Sequence, residues 1–342
     1  MEPTWCEWLN CTGCTRATPP VQFFATGRPE HLSDWHVVFR AGGQLELNEH
    51  VVPYDLNTPL FSDYAHKLRT VWMPAGSATA VSRTSDQSRN FSGLGLNLKN
   101  VRLIETRLLV RREKDWEALP YVWNAEQTDA ELARTGDEIA LELVGAQGER
   151  EAFTYVVPNQ NQCAGCHVTD LHSKSIAPIG PKARHLNRDY AYADGTQNQL
   201  GFLQKVGYLT GLPEMPAVPR SPNWLDASQP LEARARAYLE INCAHCHNPK
   251  GPADTTALTF DIGTPADRHL GLCKPPVAAG RGTGDHLFDI VPGRPDDSIL
   301  PFRMASGETG VMMPEQGRDI VHREGVGLIR AWITAMAGSC GV

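Results

Sequence analysis

Cys163-Ala-Gly-Cys166-His167 and, 80 residues further on, Cys243-Ala-His-Cys246-His247 are two copies of one pattern: two thiols three positions apart, then a histidine. The pattern is C-x-x-C-H, the attachment signature of c-type haem. Its spacing has a physical reason. Two thiols on one short turn reach the two vinyl groups along one edge of a porphyrin, and the next residue swings its imidazole over the ring to ligate iron. Nine cysteines and twelve histidines scattered at random over 342 positions would produce about 0.008 such pentads, so a pair is not an accident of composition. A zinc ribbon needs its cysteine pairs ~15–20 residues apart, and a thioredoxin-type dithiol needs a βαβ surround. Neither condition is met. The sequence therefore predicts two covalently bound haems c, held by Cys163 and Cys166 and by Cys243 and Cys246, with His167 and His247 as iron ligands.

A low-spin haem takes a second axial ligand, and methionine there raises the potential relative to a second histidine. For the second pentad the candidates are Met304, Met312 and Met313. Met313 leads, because it sits in the Gly/Pro loop Gly310-Val-Met-Met-Pro-Glu-Gln-Gly317, where an apolar residue is best explained by facing a haem. For the first pentad Met215 leads over His172 and His185, and an open iron stays in play. Arg294 and Arg303 are candidates for the haem propionates. The loop containing Pro249 and Pro252 is the expected source of a carbonyl for the second N–H of His247.

Working outward, 342 residues allow two or three domains. Hydrophobic content of 41% and charged content of 21% are those of a globular chain. A net charge of −7 argues against nucleic acid and anionic membrane as partners, and no apolar run is long enough to span a bilayer. The start, Met1-Glu-Pro-Thr-Trp-Cys6, lacks the basic and apolar stretches of a secretory signal. An exported protein with this sequence would be a mature form, a fragment or the product of a misplaced start.

Residues 1–20 form a cysteine-bearing lead-in. Residues 21–158 read as a β-rich domain, with alternating runs at Ile104–Val110, Ile139–Leu143 and Phe153–Val157 and a short one at Tyr121–Trp123. Residues 159–225 read as loop and helix around the first pentad, without strands and with a helix near 198–209. In 226–342, Ser228 is expected to cap a helix whose apolar stripe is Leu231, Ala235, Tyr238 and Leu239. Ile329, Trp332, Ile333 and Met336 mark a closing helix, with Pro/Gly-rich loop between the two. Gly325 and Gly327 weaken that last helix intrinsically, which points to close helix–helix approach. The expected fold class is α+β and multidomain: an antiparallel, sandwich-like β-rich domain followed by mainly α-helical cytochrome c regions. Cys11-Thr-Gly-Cys14 lacks a following histidine and is no third site. Cys6, Cys11, Cys14, Cys273 and Cys340 are an odd five, and two disulfides with one spare thiol is the expectation in an oxidising compartment.

These stretches together resemble a bacterial family of diheme c-type cytochromes with a β-rich N-terminal region and two C-x-x-C-H sites. The resemblance is carried by Val52–Lys67, Arg102–Val110, Tyr121–Asn124, Tyr155–Pro158 leading to Cys163, Asn242–His247 and Met313-Pro314. It implies an exported, periplasmic electron carrier, with His167 and His247 proximal and Met313 distal. The negative charge would steer a basic redox partner protein. Two other functions are compatible with the sequence: a diheme peroxidase or oxygenase with one open iron, and a β-rich binding module to which the haems report.

Overall fold

The computed structural model describes residues 26–41, 44–48, 51–73, 96–97, 101–145, 147–277 and 279–341. The fold is mixed α+β, and every ladder between its strands is antiparallel. The alternating runs become strands. Those at 104–110 and 121–123 lie in β6 (Glu105–Arg111) and β7 (Trp116–Trp123), which form a three-stranded sheet with β8 (Ala130–Leu132). The runs at 139–143 and 153–157 form the hairpin β9 (Asp137–Val144) and β10 (Arg150–Val157), pairing Ile139 with Tyr155 and Leu141 with Phe153. The remaining small sheets are β1 (Val38–Ala41) with β2 (Gln44–Leu47) and β5 (Leu96–Asn97), and β3 (Val52–Tyr54) with β4 (Arg69–Val71). A further hairpin, β11 (Asp189–Tyr192) and β12 (Gly195–Asn198), lies where no strands were expected. Four residues a side leave too short an alternation to read, and the two-residue turn Ala193-Asp194, followed by Gly195 at φ +117°, supplies the reversal.

The chain divides into two compact units. One contains residues up to Leu56, Lys67–Thr135 and Pro181–Arg220. Its β6–β7–β8 core gathers Leu32, Trp35, Val110, Leu119, Tyr121, Trp123 and Ala130. The indole N–H of Trp35 donates to the buried Tyr121 hydroxyl at 2.7 Å, and that hydroxyl donates to the Pro29 carbonyl at 2.8 Å, so no polar atom of the pair is stranded. The helix expected near 198–209 runs over Gln199–Lys205, with the Asn198 side chain accepting from the Leu200 N–H at its start. Met215 lies in this unit, half-buried in a 3-10 turn, as does His185, fully buried on the short helix Ala183–Leu186.

The other unit contains Asn57–His66, Gly136–Gly180 and Ser221–Val342, and therefore both pentads. Its helices, in chain order over the described residues, are α1 (Cys163–His167), α4 (Leu231–Cys243), α5 (Ile299–Ala305) and α6 (Arg323–Thr334), the helices at 183–186 and 199–205 being α2 and α3. The stripe of α4 and that of α6 close on each other with Trp224, Phe260, Leu270, Ile290 and Met304. Each such apolar side chain contributes about 1.5–3 kcal/mol by leaving water. Gly325 permits the approach, since a Cβ there would lie 2.2 Å from the Tyr238 hydroxyl on α4. Gly327 does not share that role: it is exposed and nothing stands within 4 Å of its Cβ position. Ser228 does not cap α4 either. Its N–H and hydroxyl both donate to Asp226, and the helix begins one turn later, after Pro230. The segment between α4 and α6 is not all loop, because α5 interrupts it and places Met304 in the core. Cys273 and Cys340 form a disulfide, while Cys6, Cys11 and Cys14 fall outside the described residues.

Residues 57–66 strap this second unit. The Thr58 hydroxyl donates to the Pro222 carbonyl and accepts from the Trp224 N–H. The Phe61 N–H donates to the Asn242 side chain, and Asp63 accepts from the N–H groups of Asp319 and Ile320. The Phe61 ring stacks on His322, with centroids 4.0 Å apart.

Candidate haem attachment site

The first pentad forms α1, a single turn set up by Asn159. The Asn159 side chain accepts from the N–H groups of Asn161 and Gln162, and its carbonyl accepts from the Cys163 N–H at 3.3 Å. Gly136 (φ +78°) lets the chain pass here, since a Cβ would lie 2.5 Å from the Val157 carbonyl. His167, half-buried, exchanges two bonds with Ala177: the Ala177 N–H donates to the His167 carbonyl, and Nδ1 meets the Ala177 carbonyl oxygen, each at 2.9 Å. A carbonyl can only accept, so Nδ1 carries the proton and Nε2 the lone pair that would hold iron.

The second pentad closes α4. Its turn is held by N–H donation from Cys246 and from His247 to the Cys243 carbonyl. The Thr256 hydroxyl donates to the Ala253 carbonyl at 2.6 Å, so toward His247 Nδ1, at 3.3 Å, its oxygen acts as acceptor. The partner is thus a threonine hydroxyl rather than a carbonyl of the Pro249/Pro252 loop, and again Nε2 keeps the lone pair. His247 is 8% exposed. Burial first, then the charges of Arg303, His245 and Lys274, hold its pKa down to about 4, which keeps the imidazole neutral at physiological pH.

The four pentad cysteines carry thiols rather than disulfides. Burial pushes the thiols of Cys243 and Cys246 up to about 12, with Cys166 and Glu315 adding to the effect at Cys246. That is the reverse of the low pKa of a redox-active dithiol. Among the described residues no three His, Cys, Asp or Glu side chains gather about one metal centre. Haem iron does not need such a cluster, because the porphyrin supplies four of its ligands. Arg303 and Lys274 lie beside His247, each with a carboxylate: Lys274 Nζ is 3.1 Å from Asp289 Oδ2 and Arg303 Nη2 is 3.6 Å from Glu315 Oε1. Thiol pairs and oriented imidazoles fit haem c at these positions.

The two pentads meet. The Cys246 Sγ lies 3.7 Å from the Gly165 carbonyl oxygen, and the Leu171 N–H donates to the Lys250 carbonyl at 2.8 Å, joining the segments that follow each histidine. The Met313 loop joins them: a Cβ on Gly165 would lie 2.4 Å from the Gln316 side-chain oxygen. Met313 is half-buried in that loop, and the Met313–Pro314 bond is cis. Met312 is half-buried beside it, whereas Met304 takes the ordinary fate of a core methionine. The His172 side chain is 83% exposed beside Asp170. Arg294 pairs with Asp297 at the surface, as a solvated arginine would, while Arg303 points inward and donates to the Val311 carbonyl. Thr256, Lys274, Gln316 and Arg318 were not singled out by sequence. Lys274 and Gln316 reach residues made near only by folding, while Thr256 and Arg318 act nine and five residues away through turns that carry no sequence period.

Comparison with protein-family models, with curated proteins and with solved structures yields no match.

Proposed function

We propose that this chain is a diheme c-type cytochrome of the family its sequence resembles, an electron-transfer protein whose haem regions are built on the cytochrome c plan. The observation that carries the reading is the meeting of two C-x-x-C-H turns, 80 residues apart, in one compact unit with both histidines oriented through Nδ1. Bound haem supplies an iron centre that accepts and releases single electrons. The chain tethers each porphyrin through Cys163 and Cys166 or Cys243 and Cys246. It aims His167 and His247 at iron and excludes water around His247. Met313 is the proposed sixth ligand of the second haem and Met215 that of the first. The Cys273–Cys340 disulfide supports an exported, oxidising location such as the periplasm. The net charge of −7 supports a basic redox partner.

A diheme enzyme with an open iron is the second reading. It is favoured by one observation: His172, the first-site candidate that follows His167 most closely in sequence, is 83% exposed beside Asp170. The test is production with a cytochrome c maturation system, followed by denaturing mass spectrometry and ligand spectra. Two covalent haem additions and a low-spin spectrum unmoved by carbon monoxide, cyanide or peroxide are expected. Colour that extracts into acidified organic solvent overturns the haem c reading, and a high-spin fraction that binds those ligands moves the assignment to the enzyme.

A further inference from the structure

Three carbonyl oxygens at alternate positions of the loop leading to Met313 are each held by an arginine. Thr309 accepts from Arg281 Nη2 at 2.7 Å, Val311 from Arg303 Nε at 2.7 Å, and Met313 from Arg318 Nη2 at 2.9 Å. The three differ in depth. The Arg281 side chain is 68% exposed, that of Arg303 is 14% exposed, and Arg318 as a residue is 4% exposed. Arg318 also gathers the turns on either side of the loop. Its Nη2 donates to the Ser306 carbonyl at 2.8 Å and reaches that of Arg303 at 3.4 Å, while Nη1 reaches that of Ile320 at 3.3 Å. The Met313 N–H donates to the Arg303 carbonyl at 3.0 Å, so the peptide groups on both sides of this residue are held.

Depth decides which of these bonds matters. An exposed guanidinium exchanges a carbonyl for water at little cost, whereas a buried one that loses its acceptors leaves donors stranded. A methionine side chain is long and flexible, so its sulfur can be presented to iron only if its own backbone does not wander. We propose that Arg318 is the positioning residue for Met313, fixing the backbone from which the thioether holds the second haem iron. The inference rests on Met313 being that ligand.

The test uses the matured protein with Arg318→Gln, Arg318→Lys, Arg281→Gln and, as ligand control, Met313→Ala. Two readouts report on the bond itself: the near-infrared charge-transfer band of methionine-ligated ferric haem, and the imidazole concentration that displaces the methionine. Arg318→Gln is expected to lower that concentration about tenfold or more, and Arg281→Gln by less than about threefold. Arg318→Lys, which keeps the charge without the planar fork, is expected to fall between them and carries the test if the glutamine variant fails to take up two haems. Displacement at the wild-type concentration in Arg318 variants that carry two haems overturns the inference, as does an equal effect of Arg281→Gln. A band undiminished in Met313→Ala, where only a first-haem share should persist, overturns the ligand reading and this inference with it. A band diminished in Met313→Ala but unmoved in the Arg318 variants overturns the inference alone.

Discussion

The two pentads share a pattern and differ in what supports them. The first is a one-turn helix held by the side chain and carbonyl of Asn159 and by the paired Ala177 backbone, with His167 half-buried. The second ends a 13-residue helix whose stripe lies in an apolar cluster of its unit, with Cys243 packed against that cluster and His247 8% exposed. The same pattern of two thiols and a histidine is thus presented once by hydrogen bonds and once by a hydrophobic core. A core holds a turn through many weak contacts, so its failure is cooperative. A turn held by a few bonds fails locally.

That contrast is broken most severely by Trp332→Ala. Truncating this buried ring is expected to cost about 3–5 kcal/mol and to lower occupancy of the second pentad while the first still takes up haem. Denaturant unfolding and haem-peptide mass spectrometry check both halves, and equal loss at the two sites would erase the distinction. Replacing Cys273 and Cys340 by serine is expected to cost about 4 kcal/mol, from the 67-residue separation that the disulfide closes, measured the same way.

Acid sharpens the contrast next. Burial holds the His322 pKa down to about 4, against Glu324, which raises it. The unfolded chain therefore takes up a proton at higher pH than the folded one. The corresponding stability is fully present above about pH 6.5, falls as pH drops from there toward 4, and amounts to about 3 kcal/mol. Urea midpoints across that window should shift in the wild type and shift less in His322→Gln. The smallest effect is at Thr256. Thr256→Val removes the acceptor of His247 Nδ1–H at a cost of about 1 kcal/mol and should shift the potential of the second haem only. The first site has no such handle, because its acceptor is the Ala177 backbone.

The strands at 105–111, 137–144 and 150–157 were legible because half-buried ladders write their burial as alternation, whereas of 116–123, buried along most of its length, only 121–123 was read. Helix α6 was legible because Ile329, Trp332 and Ile333 recur at helical spacing. The hairpin at 189–198 and helix α5 were not, being too short for a period to accumulate. Ser228 looked like a cap, yet Asp226 offered its hydroxyl a nearer acceptor. At the candidate site the thiols and histidines were legible and their neighbours were not. Arg303 and Arg294 looked alike in sequence, and only folding turned one inward and left the other paired at the surface.

Each pentad's chemistry follows from five consecutive residues, because two thiols and an imidazole on one turn need no distant help to share an edge and a face. That the two turns lie against each other, with the Met313 loop against Gly165 and Arg318 beneath that loop, was decided by tertiary structure alone. Contacts across 80 or 150 residues depend on which apolar stripes find one another. No local period records that choice.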